Sequence, residues 1–155
     1  MKIAPLNPAV PAVQALIGQL DAAQTALYPA ESNHLESIAA LQLPNVLFLG
    51  ALIGDLVVGC GAVKTLDDDG LYGEIKRMFV APALRGRGVS TAILGALEAH
   101  LVGREIPCAR LETGIRQPEA IRLYCRLGYR ERSPFGRYTS DPLSLFMEKR
   151  FSNLL

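Results

Sequence analysis

The sequence carries almost no net charge. Sixteen lysines and arginines stand against fifteen aspartates and glutamates, for +1 over 155 residues. Without a global field there is no reason to expect a nucleic-acid or membrane-surface binder, although a local basic pocket for a small anion stays open. Cysteine is also scarce and odd in number. Cys60, Cys108 and Cys125 are widely spaced and make neither a metal-ligand pattern nor a disulfide framework, so buried thiols in a reduced cytoplasm and no metal are expected. No long apolar run is unbroken: "VLFLGALIGDLVVGCGAV" is interrupted by Asp55 and four glycines, too often for a membrane span. The first residues, "MKIAPLNPAVPA", have prolines at 5, 8 and 11 and lack the apolar centre of a signal peptide. Repeats, low-complexity tracts and linkers are absent as well. One cytoplasmic domain over residues 1–155 is the expectation.

What is present is half apolar and strongly patterned. "KIA" reads as a short strand stopped by Pro5. Val10, Val13, Leu16, Ile17, Leu20 and Leu27 recur at helical spacing, and "ESNHLESIAALQL" reads as a second helix capped by Ser32 or Asn33. Val46 to Ile53 and Leu56 to Val63 flank Gly54-Asp55, which suits a type II′ hairpin. "LYGEIKRMFV" is strand-like with three charges in its middle. A helix from Gly88, the strand "CARLETGI", a helix from Pro118 to Gly128, and the closing strands "YRER" and "SLFMEKRF" complete the order. Early hairpins and a later strand–helix–strand crossover imply a mixed sheet with one parallel junction and helices on both faces, an α+β fold with α/β/α layers.

The loop "LRGRGVST" has more charge and more glycine than a connection needs. A P-loop would require GxxxxGK followed by Ser or Thr, and none exists. A dinucleotide fingerprint starting at Gly86 fails at Thr91, where the third glycine belongs, and has only Glu112 as an approximate acidic partner. Glycines that admit an anion close to the backbone, unpaired N–H groups at a helix start, and Arg85 and Arg87 fit a pyrophosphate better.

In this context Arg85-Gly86-Arg87-Gly88-Val89-Ser90 resembles motif A of the GNAT superfamily of acyl-CoA-dependent N-acetyltransferases, Gln/Arg-x-x-Gly-x-Gly/Ala. "QPEAIRLYCRLGYRE" resembles the family's motif B, and "GEIKRMFVAP", "LETG" and "PFGRY" resemble a subgroup of small bacterial members. Ser90 replaces the last Gly/Ala, and Gln117 stands where many members have Asn. The resemblance spans essentially the whole chain. It implies the GNAT fold, a sheet of about seven strands with about four helices, splayed at its central parallel strands. It also implies acetyl-CoA as donor, a small-molecule amine as acceptor, and leaves a homodimer open.

The resemblance further implies roles. The pyrophosphate would lie on the backbone of Gly86 to Thr91, through Val89 and Ser90, with Gln117 nearby. Met78, Phe79 and Val80 would hold the pantetheine, with the Met78 N–H polarising the thioester carbonyl. Tyr124 would be the acid, against the alternative of a packing residue on one helix face with Ala120 and Leu127. Glu74 would be the base, acting through water, against an internal ion pair. Unbroken alternation puts Glu74, Lys76 and Met78 on one face and Ile75, Arg77 and Phe79 on the other, unless a bulge intervenes. His34 falls in the region that lines the acceptor site in many members. If two of Lys76, Arg77 and Arg137 face the cleft, an acceptor with a carboxylate, such as an amino acid, follows. Arg122 and Arg126 would meet the nucleotide's 3′-phosphate or simply solvate their helix, and Cys125 is expected to be buried. A protein-acetylating enzyme and a non-catalytic acyl-CoA sensor are the competing readings.

Overall fold

The computed structural model describes residues 1–152. Seven strands form one sheet: β1 (Lys2–Pro5), β2 (Val46–Ile53), β3 (Leu56–Leu66), β4 (Tyr72–Val80), β5 (Cys108–Gly114), β6 (Arg130–Arg132) and β7 (Ser144–Arg150). Their spatial order is β1-β2-β3-β4-β5-β7-β6, and among the described residues only β4 and β5 run parallel. The four helices are α1 (Pro11–Leu27), α2 (Ile38–Leu41), α3 (Val89–Gly103) and α4 (Pro118–Arg126). The expected order and the mixed sheet are therefore present.

Each sheet face has its own apolar layer. Val13, Leu16, Ile17 and Leu20 of α1 pack on Phe48, Cys60, Ala62 and Phe79. On the other face, Ile93, Leu94, Leu97 and Leu101 of α3 pack on Val58, Val63, Ile75 and Leu111. Fully burying one such side chain stabilises the fold by about 1.5–3 kcal/mol. The α3 packing is close because two strand positions lack side chains. A β-carbon at Gly73 would fall 2.4 Å from Leu101 Cδ2, and one at Gly61 would fall 2.7 Å from Ile93 Cγ2.

Two local expectations change. Residues 33–37 are not helical: a 3-10 turn covers Ala30–Ser32, and the four-residue α2 is capped by Ser37, whose side chain accepts from Ala40 N–H at 3.1 Å. Neither Ser32 nor Asn33 is that cap. Serine is a good cap wherever the extended chain turns helical, so the sequence offered three serine or asparagine sites and tertiary packing selected one.

The second change bears on chemistry. Cys60 pairs with Phe79, but Ala62 pairs with Lys76, so β4 holds one more residue than β3 opposite it. Arg77 takes the extra place with φ +59°, a left-handed conformation that costs a non-glycine residue about 1–2 kcal/mol. The bulge resets the alternation. Ile75, Met78 and Val80 pack with the α3 layer, whereas Phe79 packs with α1 and Arg77 reaches Asp21 of α1. Arg77 thus joins the α1 face with Phe79, and Met78 leaves the face of Glu74 and Lys76.

Candidate active site

β4 and β5 pair only from Gly73↔Ala109 to Ile75↔Leu111. Beyond that point the strands part, and the β5-facing backbone of Lys76 to Val80 has no strand partner. Two cavities occupy the opening. The larger, about 680 Å³, is lined by Met78, Phe79 and Val80, by the loop from Arg85 to Thr91 except Arg87, and by Gln117. The smaller, about 110 Å³, is lined by Glu74, Lys76, Arg77, His34, Glu112 and Tyr138, among others. Tyr124, Met78, Gln117 and Ala120 border both.

Local sequence builds the floor of the larger cavity. Gly86 and Gly88 have φ of +77° and +78°, and Gly88 is the N-cap of α3. The first helical bond runs from Ala92 N–H to Gly88 O, so the N–H groups of Val89, Ser90 and Thr91 precede any intrahelical acceptor. These donors and the positive helix end suit an anion. Arg85 is held in place, with Nε donating to Val80 O at 3.1 Å and its guanidinium over the Phe79 ring. Arg87 is exposed and lies outside the lining. Arg126 of α4 lines the cavity, whereas Arg122 does not.

Tyr28 ties the end of α1 to the start of α4. Its hydroxyl accepts from Arg116 N–H at 3.1 Å and donates to Gln117 Oε1 at 3.2 Å. Its ring lies where a Gly114 side chain would be, since a β-carbon built there falls 1.8 Å from the Tyr28 hydroxyl oxygen. Tyr124 is buried, and burial, followed by the nearby Glu112 carboxylate, pushes its phenol well above the usual range. It packs edge-on to Tyr129, so the packing role and the cavity position coexist.

Glu74 is buried and engaged. Tyr138 donates to Glu74 Oε2 at 2.5 Å, and Lys76 Nζ lies 3.4 Å from the same oxygen. Lys76 also reaches Glu36 at 3.3 Å. Arg77 Nη1 lies 2.6 Å from Asp21 Oδ1, an ion pair whose angles fall short of a hydrogen bond. His34 is exposed at the cavity wall, edge-on to Tyr138 at 5.0 Å. Arg137 is exposed and is not brought to the cavity; its neighbour Tyr138 is. Cys60 and Cys108 are buried as expected, and burial pushes the Cys60 thiol up to about 12. Cys125 is exposed, contrary to expectation, because α4 turns that position away from the sheet.

From sequence, Glu112 was weighed only as the acidic partner of a dinucleotide fingerprint and not as a site carboxylate. It is a mid-strand carboxylate in "RLETG", the same signal that singled out Glu74. Its recorded hydrogen bond comes from the Ser144 hydroxyl at 2.7 Å, and burial raises its carboxyl above the usual carboxylate range despite that bond. Tyr28 and Tyr138 were missed too: nothing local marks Tyr28, and in "PFGRY" attention went to Arg137 and not to its neighbour.

Comparison with known proteins agrees with this arrangement. The acetyltransferase (GNAT) family model matches residues 17–129. An IAA acetyltransferase of Azospirillum brasilense is 46% identical over 147 residues, covering 95% of each chain. The crystal structure of a Klebsiella pneumoniae protein described as an acyl-CoA N-acyltransferase superposes with a TM-score of 0.80 at 38% identity, covering 96% of each chain. The PaiA N-acetyltransferase of Thermoplasma acidophilum, solved with coenzyme A, shares the fold at a TM-score of 0.72 and 18% identity, over 97% of this chain and 100% of that one. On this sequence match, with a sheet that opens between its parallel strands above a glycine-capped helix, the chain belongs to the acetyltransferase (GNAT) family.

Proposed function

We propose that residues 1–155 form one acetyltransferase domain that moves an acetyl group from acetyl-CoA to a primary amine of a small molecule, directly within a ternary complex. The observation that carries this reading is the meeting of the two cavities at Tyr124, Met78 and Gln117. The larger cavity fits the donor: unpaired N–H groups and Arg85 suit its pyrophosphate, and the stretch Met78 to Val80, which β5 does not pair, suits its amide-bearing arm. Acetyl-CoA supplies an acyl group activated as a thioester. A Met78 N–H aimed at the thioester carbonyl would contribute roughly 3–4 kcal/mol in the transition state, as oxyanion-hole donors do.

The amine must lose a proton before it attacks, and the departing sulfur must gain one. Tyr124, kept protonated by burial, holds a proton at the junction and donates a hydrogen bond toward the sulfur. The amine's proton goes to the acidic side of the smaller cavity, through water. Glu74 and Glu112 share that side. Glu74 is already committed to Lys76 and Tyr138, whereas the raised carboxyl of Glu112 is better matched to the task.

The smaller cavity offers only about 110 Å³ beside the junction, a size that suits a small acceptor. The decisive experiment follows thiol release from acetyl-CoA across a panel of amines, peptides and IAA, alongside calorimetric acetyl-CoA binding. Turnover with small amines is the expected result. Tight binding without turnover on any acceptor would instead make the chain a sensor of acyl-CoA.

A further inference from the structure

Two cations line the smaller cavity, which by count alone would invite an acceptor carboxylate. Both already have carboxylates of their own. Lys76 sits between Glu74 at 3.4 Å and Glu36 at 3.3 Å, and Arg77 lies against Asp21 at 2.6 Å. Glu112 adds a fourth carboxylate, whose recorded partner is the neutral Ser144 hydroxyl. Lys76 and Arg77 therefore face Glu74, Glu36, Asp21 and Glu112, and the remaining basic group on the wall, His34, is exposed at its rim. The third basic residue of interest, Arg137, lies outside.

We infer that the acceptor is a short aliphatic amine or diamine with no carboxylate near its reacting nitrogen. This rests on reading the smaller cavity as the acceptor site. A cationic ammonium is drawn to Glu112, which feels Lys76 and His34 only at a distance and is in no ion pair among the described residues, while a substrate carboxylate would enter beside Glu74 and Glu112 with Lys76 and Arg77 already paired. In a half-buried site such like-charge contacts are poorly screened. Size points the same way. A 150 Å³ cavity holds the six carbons of benzene, so 110 Å³ holds about four heavy atoms, with any longer tail leaving past His34.

The test compares propylamine, 1,3-diaminopropane and 3-aminopropanoate, which share one carbon chain, carry amines of similar basicity and keep the carboxyl carbon within the first four heavy atoms. Thiol release at saturating acetyl-CoA is expected to favour both amines over the amino acid by at least about tenfold in kcat/KM, the ratio that about 1.4 kcal/mol yields. Equal or better turnover of 3-aminopropanoate overturns the inference. Glu36→Gln, a change outside the cavity wall that frees Lys76 from one of its two carboxylates, should narrow the preference severalfold; an unchanged ratio refutes the charge argument. If acetyl-CoA binds but nothing turns over, the catalytic reading fails by itself. Calorimetry of the same three compounds on the CoA-saturated protein then decides this inference. Preferential binding of the amines sustains it, and preference for 3-aminopropanoate, or binding of none, overturns it. Failure of acetyl-CoA to bind at all defeats the donor reading and this inference with it.

Discussion

Replacing Gly114 by alanine would put a β-carbon where the Tyr28 ring already lies, 1.8 Å from its hydroxyl oxygen and 2.0 Å from the ring carbon bearing it. The β5 backbone does not yield easily, because Gly114 pairs with Ser144 of β7. Tyr28 must therefore swing out. It gives up the bond from Arg116 N–H and the bond to Gln117, each worth about 1 kcal/mol net. It also exposes part of a ring that is 6% exposed in the native state, a loss of about 1 kcal/mol. The lower chain entropy of unfolded alanine offsets about 0.4–1 kcal/mol. A net destabilisation of about 2 kcal/mol follows, read as a lower urea midpoint at unchanged m-value. Gln117 caps α4 and lines both cavities, so acetyl-CoA affinity should fall together with stability. Tyr28→Phe keeps the ring and removes only the two hydrogen bonds, so it should cost about 2 kcal/mol, close to the net loss of Gly114→Ala. In the Gly114→Ala/Tyr28→Ala double variant the collision is gone, and the combined effect should be well below the sum of the singles. A Gly114→Ala midpoint indistinguishable from wild type, or strict additivity in the cycle, would refute the close approach.

Three further outcomes are expected. Gly88→Glu meets no atom within 4 Å, so its folding cost is the strain of a positive φ, about 1–2 kcal/mol; acetyl-CoA binding should nevertheless be lost because a carboxylate now stands at the anion site, and calorimetry with circular dichroism checks both halves. Tyr124→Phe should lower kcat by about 10²-fold while the acetyl-CoA Kd changes little, since the hydroxyl acts on the departing sulfur and not on donor binding. The raised carboxyl of Glu112 must be ionised to accept a proton, so kcat/KM should fall as pH drops through a value above the ordinary carboxylate range; Glu112→Gln should remove that limb and Glu74→Gln should leave it, and the reverse pattern in the pH profiles would assign the base to Glu74.

Much of this protein is readable along the chain because it is local. The loop from Arg85 to Thr91 needs only two glycines with positive φ and a helix start to expose its N–H groups, and all of that lies within seven residues. Alternation and helical stripes placed the strands and the two longest helices, since the periods of 2 and 3.6 residues come from backbone geometry. The charged strand β4 resisted the same treatment. A single extra residue at Arg77 exchanges the faces of everything after it, and the sequence "EIKRMF" bears no mark of the insertion.

The sequence by itself determined the family, the glycine-rich helix start and the order of elements, because each depends on residues that are neighbours in the chain. Only the tertiary structure decided how the acceptor side is charged. Lys76 meets Glu36 across 40 residues of chain, Arg77 meets Asp21 across 56, and Glu112 meets Ser144 across 32. A count of basic residues suggested a place for a carboxylate; the contacts that neutralise them point to an amine. Coulomb energy depends on separation in space, and separation in space is what the linear order of residues does not contain.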